Sequence, residues 1–375
     1  MKGKQILLGC MALVLLSGCG GRKEEVFRQA EADLENGAFE TALLGYKASA
    51  AAEVHSAQAY RGAGIAYLNL GQYEEAITSF DNALSYDRLS DDARRDILQY
   101  KAVTYYKAEQ YEKAMETCQE LMEYQMDVQS YYLTGRVALA MDSYDEAAKN
   151  FQNAYAEDAS YETAIQIYEA YFEKGMQADG IGYLEMSLNK PPSDAQDYCD
   201  RGQIYLLMEE YDNARQELTE AVNKGSAEAV LLMGRAYLAQ NDIANARSMY
   251  QQYVTEHEET SARGYNGLAL CDIAEGNYES AGNNLSLGLQ RATEEEKREL
   301  LFNQVVVYEK MLDFSTAYEK VSEYLQMFPE DEEAGKERTF LASRIGQSGQ
   351  SAGQENQSEE TEQNTVYTED PAQEG

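Results

Sequence analysis

A histidine does chemistry when a second ligand or a proton partner stands at a fixed spacing from it. Neither His55 nor His257 has such a neighbour, and no HExxH, GxSxG or GxxxxGK[ST] motif occurs. Carboxylates are plentiful, with 66 Asp and Glu against 31 Lys and Arg. A pair spaced for glycoside hydrolysis would therefore arise by chance almost anywhere and carries no signal. Cys118, Cys199 and Cys271 are far apart, without CxxC or metal spacing, at positions where small apolar residues recur. They read as packing thiols, and their odd number argues against a full disulfide framework. The expectation is no enzyme, no metal and no cofactor. What remains is recognition: Arg61, Arg136 and Arg235, each near Tyr and Leu, are the residue mix favoured at binding hot spots.

Cys19 has a different setting. Lys2 and Lys4 give a positive start, and Ile6 to Leu16 is a mainly apolar run, too short to span a bilayer. Leu16-Ser17-Gly18-Cys19 then resembles the lipobox of bacterial lipoproteins. The resemblance implies removal of residues 1–18 and lipid on Cys19, with residues 19–22 as the lipidated Cys and a short linker. An ordinary secretory signal with a chance Cys is the alternative. Loss of Lys2 and Lys4 would take the formal charge from −35 to −37. A body so acidic repels nucleic acid and anionic lipid surfaces, so membrane attachment would rest on acyl chains.

The elements that position the arginines are helices. In Tyr60 to Asp87, two helical patterns meet at Gly71: Tyr60, Gly64 and Tyr67 share one face, and Tyr73, Ala76, Phe80 and Ala83 share another. Gly64, Ala76 and Ala83 allow close approach, and Tyr67 and Phe80 fill the volume. One hairpin cannot bury its apolar face alone, so the pattern must recur. Indexed on Ala76, it does so at Ala42, Ala114, Ala147, Gly180, Ala214, Ala246, Ala281 and Ala317, spaced 32 to 38 residues apart. Three residues before each index lies a large apolar residue, except Gln177. Five before lies a turn-prone or polar one, except Leu312. Twelve before, a small residue is usual, as in Gly64, Gly135, Gly202 and Gly234. Trp is absent and Tyr numerous (30), so Tyr supplies most of the large packing groups.

This pattern resembles the tetratricopeptide repeat, an antiparallel helix pair of about 34 residues. The resemblance implies an all-α superhelical solenoid of about nine helix-turn-helix copies over 23–330. The fifth copy is the softest, because Gly180 and Gly182 fall inside its second helix. Residues 331–345 read as a capping helix started by Asp331, with Ala334, Leu341 and Ile345 on its apolar stripe. Residues 346–375, rich in Gln, Ser, Glu, Gly and Thr, read as a disordered acidic tail.

In this family the fifth, ninth and twelfth residues of each first helix line a concave groove. Carried over, the groove begins with Phe27, Glu31 and Leu34, then Arg61, Ile65 and Leu68, then Gln99, Val103 and Tyr106. Tyr132, Arg136 and Leu139 follow, with Ile165, Glu169 and Phe172, and then Cys199, Gln203 and Leu206. The far end adds Leu231, Arg235 and Leu238, then Asn266, Leu270 and Ile273, and finally Phe302, Val306 and Glu309. The arginines either face a partner or pair with groove acids such as Glu31 and Glu169. No copy has Lys and Asn at positions five and nine, the clamp by which chaperone-binding members hold a terminal carboxylate.

These readings converge on a lipid-anchored, extracytoplasmic scaffold that binds a protein or peptide in the cell envelope, with no nucleic-acid partner. The outer membrane is an option if the cell has two. The alternative function is a solute-capture lipoprotein that feeds peptides or glycans to a transporter.

Overall fold

The computed structural model describes residues 20–124, 126–293, 296–329 and 331–345. The leader, Cys19 and the acidic tail lie outside the described residues. Among the described residues the secondary structure is helical: nine antiparallel pairs, a short 3-10 turn at Glu258–Thr260 and a final single helix. The first five pairs are α1 (Gly20–Glu35) with α2 (Phe39–Ala51), α3 (Ser56–Asn69) with α4 (Tyr73–Leu84), α5 (Asp91–Lys107) with α6 (Tyr111–Leu121), α7 (Val128–Ala140) with α8 (Tyr144–Glu157), and α9 (Tyr161–Glu173) with α10 (Gln177–Leu188). The last four are α11 (Ala195–Leu207) with α12 (Tyr211–Asn223), α13 (Ala227–Ala239) with α14 (Ile243–Glu256), α15 (Ala262–Glu275) with α16 (Tyr278–Leu289), and α17 (Lys297–Lys310) with α18 (Phe314–Met327). Helix α19 covers 332–345. The chain divides into two compact units, one ending at Pro191 and one beginning at Pro192.

The indexed pattern maps onto this architecture position by position. Each second helix begins at the residue three before the index, from Phe39 to Phe314, and Gln177 serves as well as the aromatics. Every index alanine is fully buried, and Gly180 is buried in the fifth copy. The residue five before the index takes the left-handed conformation in every pair, with φ between 56° and 78°. Leu312, the exception in residue type, is no exception in backbone (φ 61°). A left-handed residue here ends the first helix and turns the chain back into the second.

Helix starts follow capping chemistry. Ser90, Asp127, Ser160, Asp194 and Ser226 each accept a bond from the backbone N–H three residues on, satisfying a donor the helix itself leaves free. Helix α1 begins at Gly20, where the sequence predicts a linker through Arg22. The first turn of a helix keeps free N–H groups and few packing contacts, so it asks little of its residues.

Within each unit, the second helix of a pair packs on the first helix of the next, and successive first helices also touch. First helices therefore lie on the inner side of each stack. Phe80 is fully buried among Ile65, Leu68, Ala76, Ala83 and Ile97, and such burial contributes roughly 2–3 kcal/mol. Tyr161, Tyr250 and Tyr324 do the same work elsewhere. Cys118, Cys199 and Cys271 are free, buried thiols, and burial pushes the pKa of each up to about 11. Helix α19 closes the second unit: Ala334 and Leu341 sink against Val305, Val321 and Tyr324, and Asp331 accepts from the Ala334 N–H (3.0 Å). Ile345, the third residue of the expected stripe, is half-buried.

Candidate functional site

The expected groove residues separate by burial. Ile65 and Leu68 on α3 are each 8% exposed and belong to the core around Phe80, so they are corrected from partner-facing to structural positions. The reason is the tight approach of α3 to its own partner α4, with Ile97 of α5 joining the same core. Phe172 on α9 is 55% exposed, with Tyr168 as its aromatic neighbour. Arg235 on α13 is exposed and makes no hydrogen bond or ion pair among the described residues.

The other two arginines are held by acids different from those expected. Arg61 grips the carboxylate of Asp96 on α5 with Nε and Nη2 (Nη2–Oδ1 2.9 Å) and lies over the Tyr100 ring, 5.2 Å from its centroid. Arg136 on α7 lies between two rings, 4.8 Å from the centroid of Tyr106 and 5.9 Å from that of Tyr132. Its Nη2 donates to Tyr106 Oη (3.3 Å) and to Glu173 Oε2 (2.9 Å). The structure thus gathers Tyr106, Tyr132 and Arg136 from the expected groove residues, and leaves Arg61 with its own acid. Burial raises the Tyr132 hydroxyl pKa against the lowering pull of Arg136, so the ring stays neutral. Beside this cluster is a recess of about 160 Å³, lined by Tyr106, Arg136, Leu139, Glu173 and Lys174 among others. The Lys174 ammonium is engaged by Asp142 at 2.8 Å.

The second unit holds a larger cleft, about 730 Å³, between α15, α17, α18 and the start of α19. Asn266 and Phe302, both expected groove residues, line it. Arg263, Arg298, Asn303, Tyr324, Asp331 and Glu333 also line it and were missed. Arg298 Nε donates to Tyr324 Oη (3.1 Å) and Nη2 to Asp331 Oδ2 (2.9 Å), while Tyr324 donates to the same Oδ2 (2.6 Å). Burial works to raise the Asp331 carboxyl, but the Ala334 N–H, Tyr324 and Arg298 outweigh it and hold it at about 2. Burial, with Asp331 beside it, pushes Tyr324 up to about 12. Arg263 forks onto Glu228, with Nη2–Oε1 at 2.6 Å. Arg263 and Arg298 are the second residues of α15 and α17 and Asn303 is the seventh of α17, while Tyr324 is on the second helix α18 and Asp331 and Glu333 are at the start of α19. The available signal was the spacing of Arg298 and Phe302, four apart on one helix face.

Among the described residues, no group of three or more His, Cys, Asp or Glu side chains could hold an ion. No described helix is long and apolar enough to cross a membrane.

The repeat pattern and the helix pairs meet in the family comparison. Tetratricopeptide repeat models match residues 57–89, 197–223 and 228–260. These helix pairs are tetratricopeptide repeats. A further model, described as anaphase-promoting complex, cyclosome, subunit 3, matches residues 83–154. The BBSome complex member BBS4 homolog of Drosophila melanogaster is 24% identical over 248 residues, 65% of this chain, and the chain spans 46% of that relative's length. A tetratricopeptide repeat protein from Parabacteroides merdae is similar at 18% identity and TM-score 0.43, over 67% of this chain and 99% of that one. MamA from Desulfovibrio magneticus is similar at 21% identity and TM-score 0.39, over 46% and 96%. PilF of Pseudomonas aeruginosa is similar at 15% identity and TM-score 0.39, over 56% and 95%. These distant likenesses carry no argument about the site. The tetratricopeptide repeat assignment rests on the family models and on the indexed residues of each helix pair.

Proposed function

We propose that this tetratricopeptide-repeat chain is a lipid-anchored scaffold on the outer face of a cell membrane, holding a protein or peptide partner in the envelope. The observation that carries the binding reading is Arg136. It is a guanidinium set between Tyr106 and Tyr132 beside an open recess, the kind of rigid aromatic and cationic surface that anchors partners. The leader and the Leu16-Ser17-Gly18-Cys19 junction support the anchor, with two or more acyl chains on Cys19 giving stable attachment. Short connections between helices, throughout the described residues, favour the scaffold over solute capture, which would draw its site from long irregular insertions. The acidic body disfavours nucleic acid.

Two experiments test this. Palmitate labelling is expected in the wild type and absent in Cys19→Ser; label retained in the variant removes the anchor. Crosslinking in cells is expected to recover a partner with the wild type and to lose it when Arg61, Arg136 and Arg235 are changed to Glu. Unchanged recovery removes the groove.

A further inference from the structure

We infer that the cleft of the second unit takes an extended, basic segment of a partner protein. The inference rests on the scaffold reading and adds where and what it binds.

Asn303 Nδ2 donates to Asn266 Oδ1 at 2.8 Å. Asn266 is only 5% exposed, yet its own Nδ2 has no partner among the described residues, and neither has Asn303 Oδ1. Both side chains line the cleft. The pair therefore offers the Asn266 amide NH2 as donor and the Asn303 carbonyl oxygen as acceptor to whatever enters. A main-chain amide carries the matching acceptor and donor.

Charge decides the side chain. Of the cations in the wall, Arg263 is taken by Glu228 and Arg298 by Asp331. The carboxylates of Glu299 and Glu333 have no hydrogen bond or ion pair among the described residues, and Glu296 is bonded only to the neutral Thr293. The cleft is thus net negative and repels acidic segments, including this chain's own residues 346–375. It favours a Lys or Arg side chain, whose aliphatic stem can lie along the half-buried Phe302 ring, itself backed by the Tyr324 ring (centroids 5.5 Å apart).

The test passes a random decapeptide library over the full immobilised chain and sequences what is retained. Enrichment in Lys and Arg is expected. For a retained peptide, E299Q/E333Q and N303A are each expected to weaken binding about fivefold or more, as loss of two exposed charge contacts or of the free acceptor would. The remote pair E112Q/E116Q, which changes net charge equally, is expected to leave it unchanged. The inference is overturned by no Lys or Arg enrichment, by enrichment in acids, or by equal weakening in the remote variant. Helix content of each variant, read by circular dichroism, excludes misfolding. If the peptides fail while the cellular crosslinks persist, the cleft assignment falls and the scaffold stands. If the peptides bind and no partner is crosslinked in cells, the cleft stands and the scaffold falls.

Discussion

The ring of Phe80 occupies the space that a side chain on Gly64 would need: a Cβ there would stand 2.5 Å from the ring's Cε1. The same relation recurs between Gly135 and Phe151, Gly202 and Leu218, and Gly234 and Tyr250, at 2.5 to 2.8 Å. In each pair the glycine lies twelve before the index and the large residue four after it. Replacing a helical Gly by Ala ordinarily stabilises by up to ~1 kcal/mol. Here Phe80 is fully buried and cannot swing aside. Overpacking of about 1–3 kcal/mol reverses the sign, so Gly64→Ala is expected to lower the urea midpoint. A midpoint at or above the wild type's contradicts the close approach.

The two glycines of α10 make an internal contrast. A Cβ on Gly180 would stand 2.9 Å from the Tyr168 Cα, which cannot move without α9, whereas a Cβ on Gly182 meets nothing within 4 Å. Gly182→Ala is expected to stabilise by about 0.5–1 kcal/mol and Gly180→Ala to destabilise by at least as much. In the wild type, native-state hydrogen exchange should show α10 less protected than α4 or α8. Equal protection would remove the fifth pair's standing as the soft point.

Leu312 holds a left-handed backbone (φ 61°) where every other pair uses Gly or a polar residue, and it is 73% exposed. A branched side chain in this region costs about 1–2 kcal/mol. Leu312→Gly forfeits little packing and, after the entropy of glycine, is expected to gain about 0.5–1 kcal/mol. Leu312→Ala, which keeps a Cβ, should gain much less. Thermal melts of the two variants side by side decide it.

Glu309 on α17 lies beside Glu337 on α19, and burial together with that like-charged neighbour pushes it up to about 7, although Lys310 pulls the other way. Its Oε1 is buried without a partner. The folded state therefore keeps a proton that the unfolded chain releases at the ordinary value of 4.5. Stability contributed at this site is full below about 4.5, declines as pH rises through about 7, and is lost above it. Hydrogen-exchange protection of 332–345 should fall from pH 5 to pH 8, and Glu309→Gln should flatten the slope. A pH-independent protection factor in the wild type would refute the carboxyl pair.

The repeat architecture was legible from residue types because its main contacts are local. Ala76, Phe80 and Gly64 meet across one turn, so helix rise and turn length set their spacing and the spacing repeats in every copy. Even Leu312, which breaks the residue pattern, obeys the backbone one, because the chain must reverse at that point whatever residue is there.

The surface residues lacked that constraint. Ile65 and Leu68 belong to the core, although family positions place both in the groove, whereas Arg136 lines a recess between the Tyr106 and Tyr132 rings. Which of them faces outward depends on how one pair rotates against the next. Asn266 and Asn303 stand 37 residues apart in sequence and 2.8 Å apart in space. The chain by itself determined the helix pairs, their number and their turns, through contacts of fixed spacing. Only the stacking of successive pairs decided which arginines have acids of their own, and that Asn266 has a donor to spare.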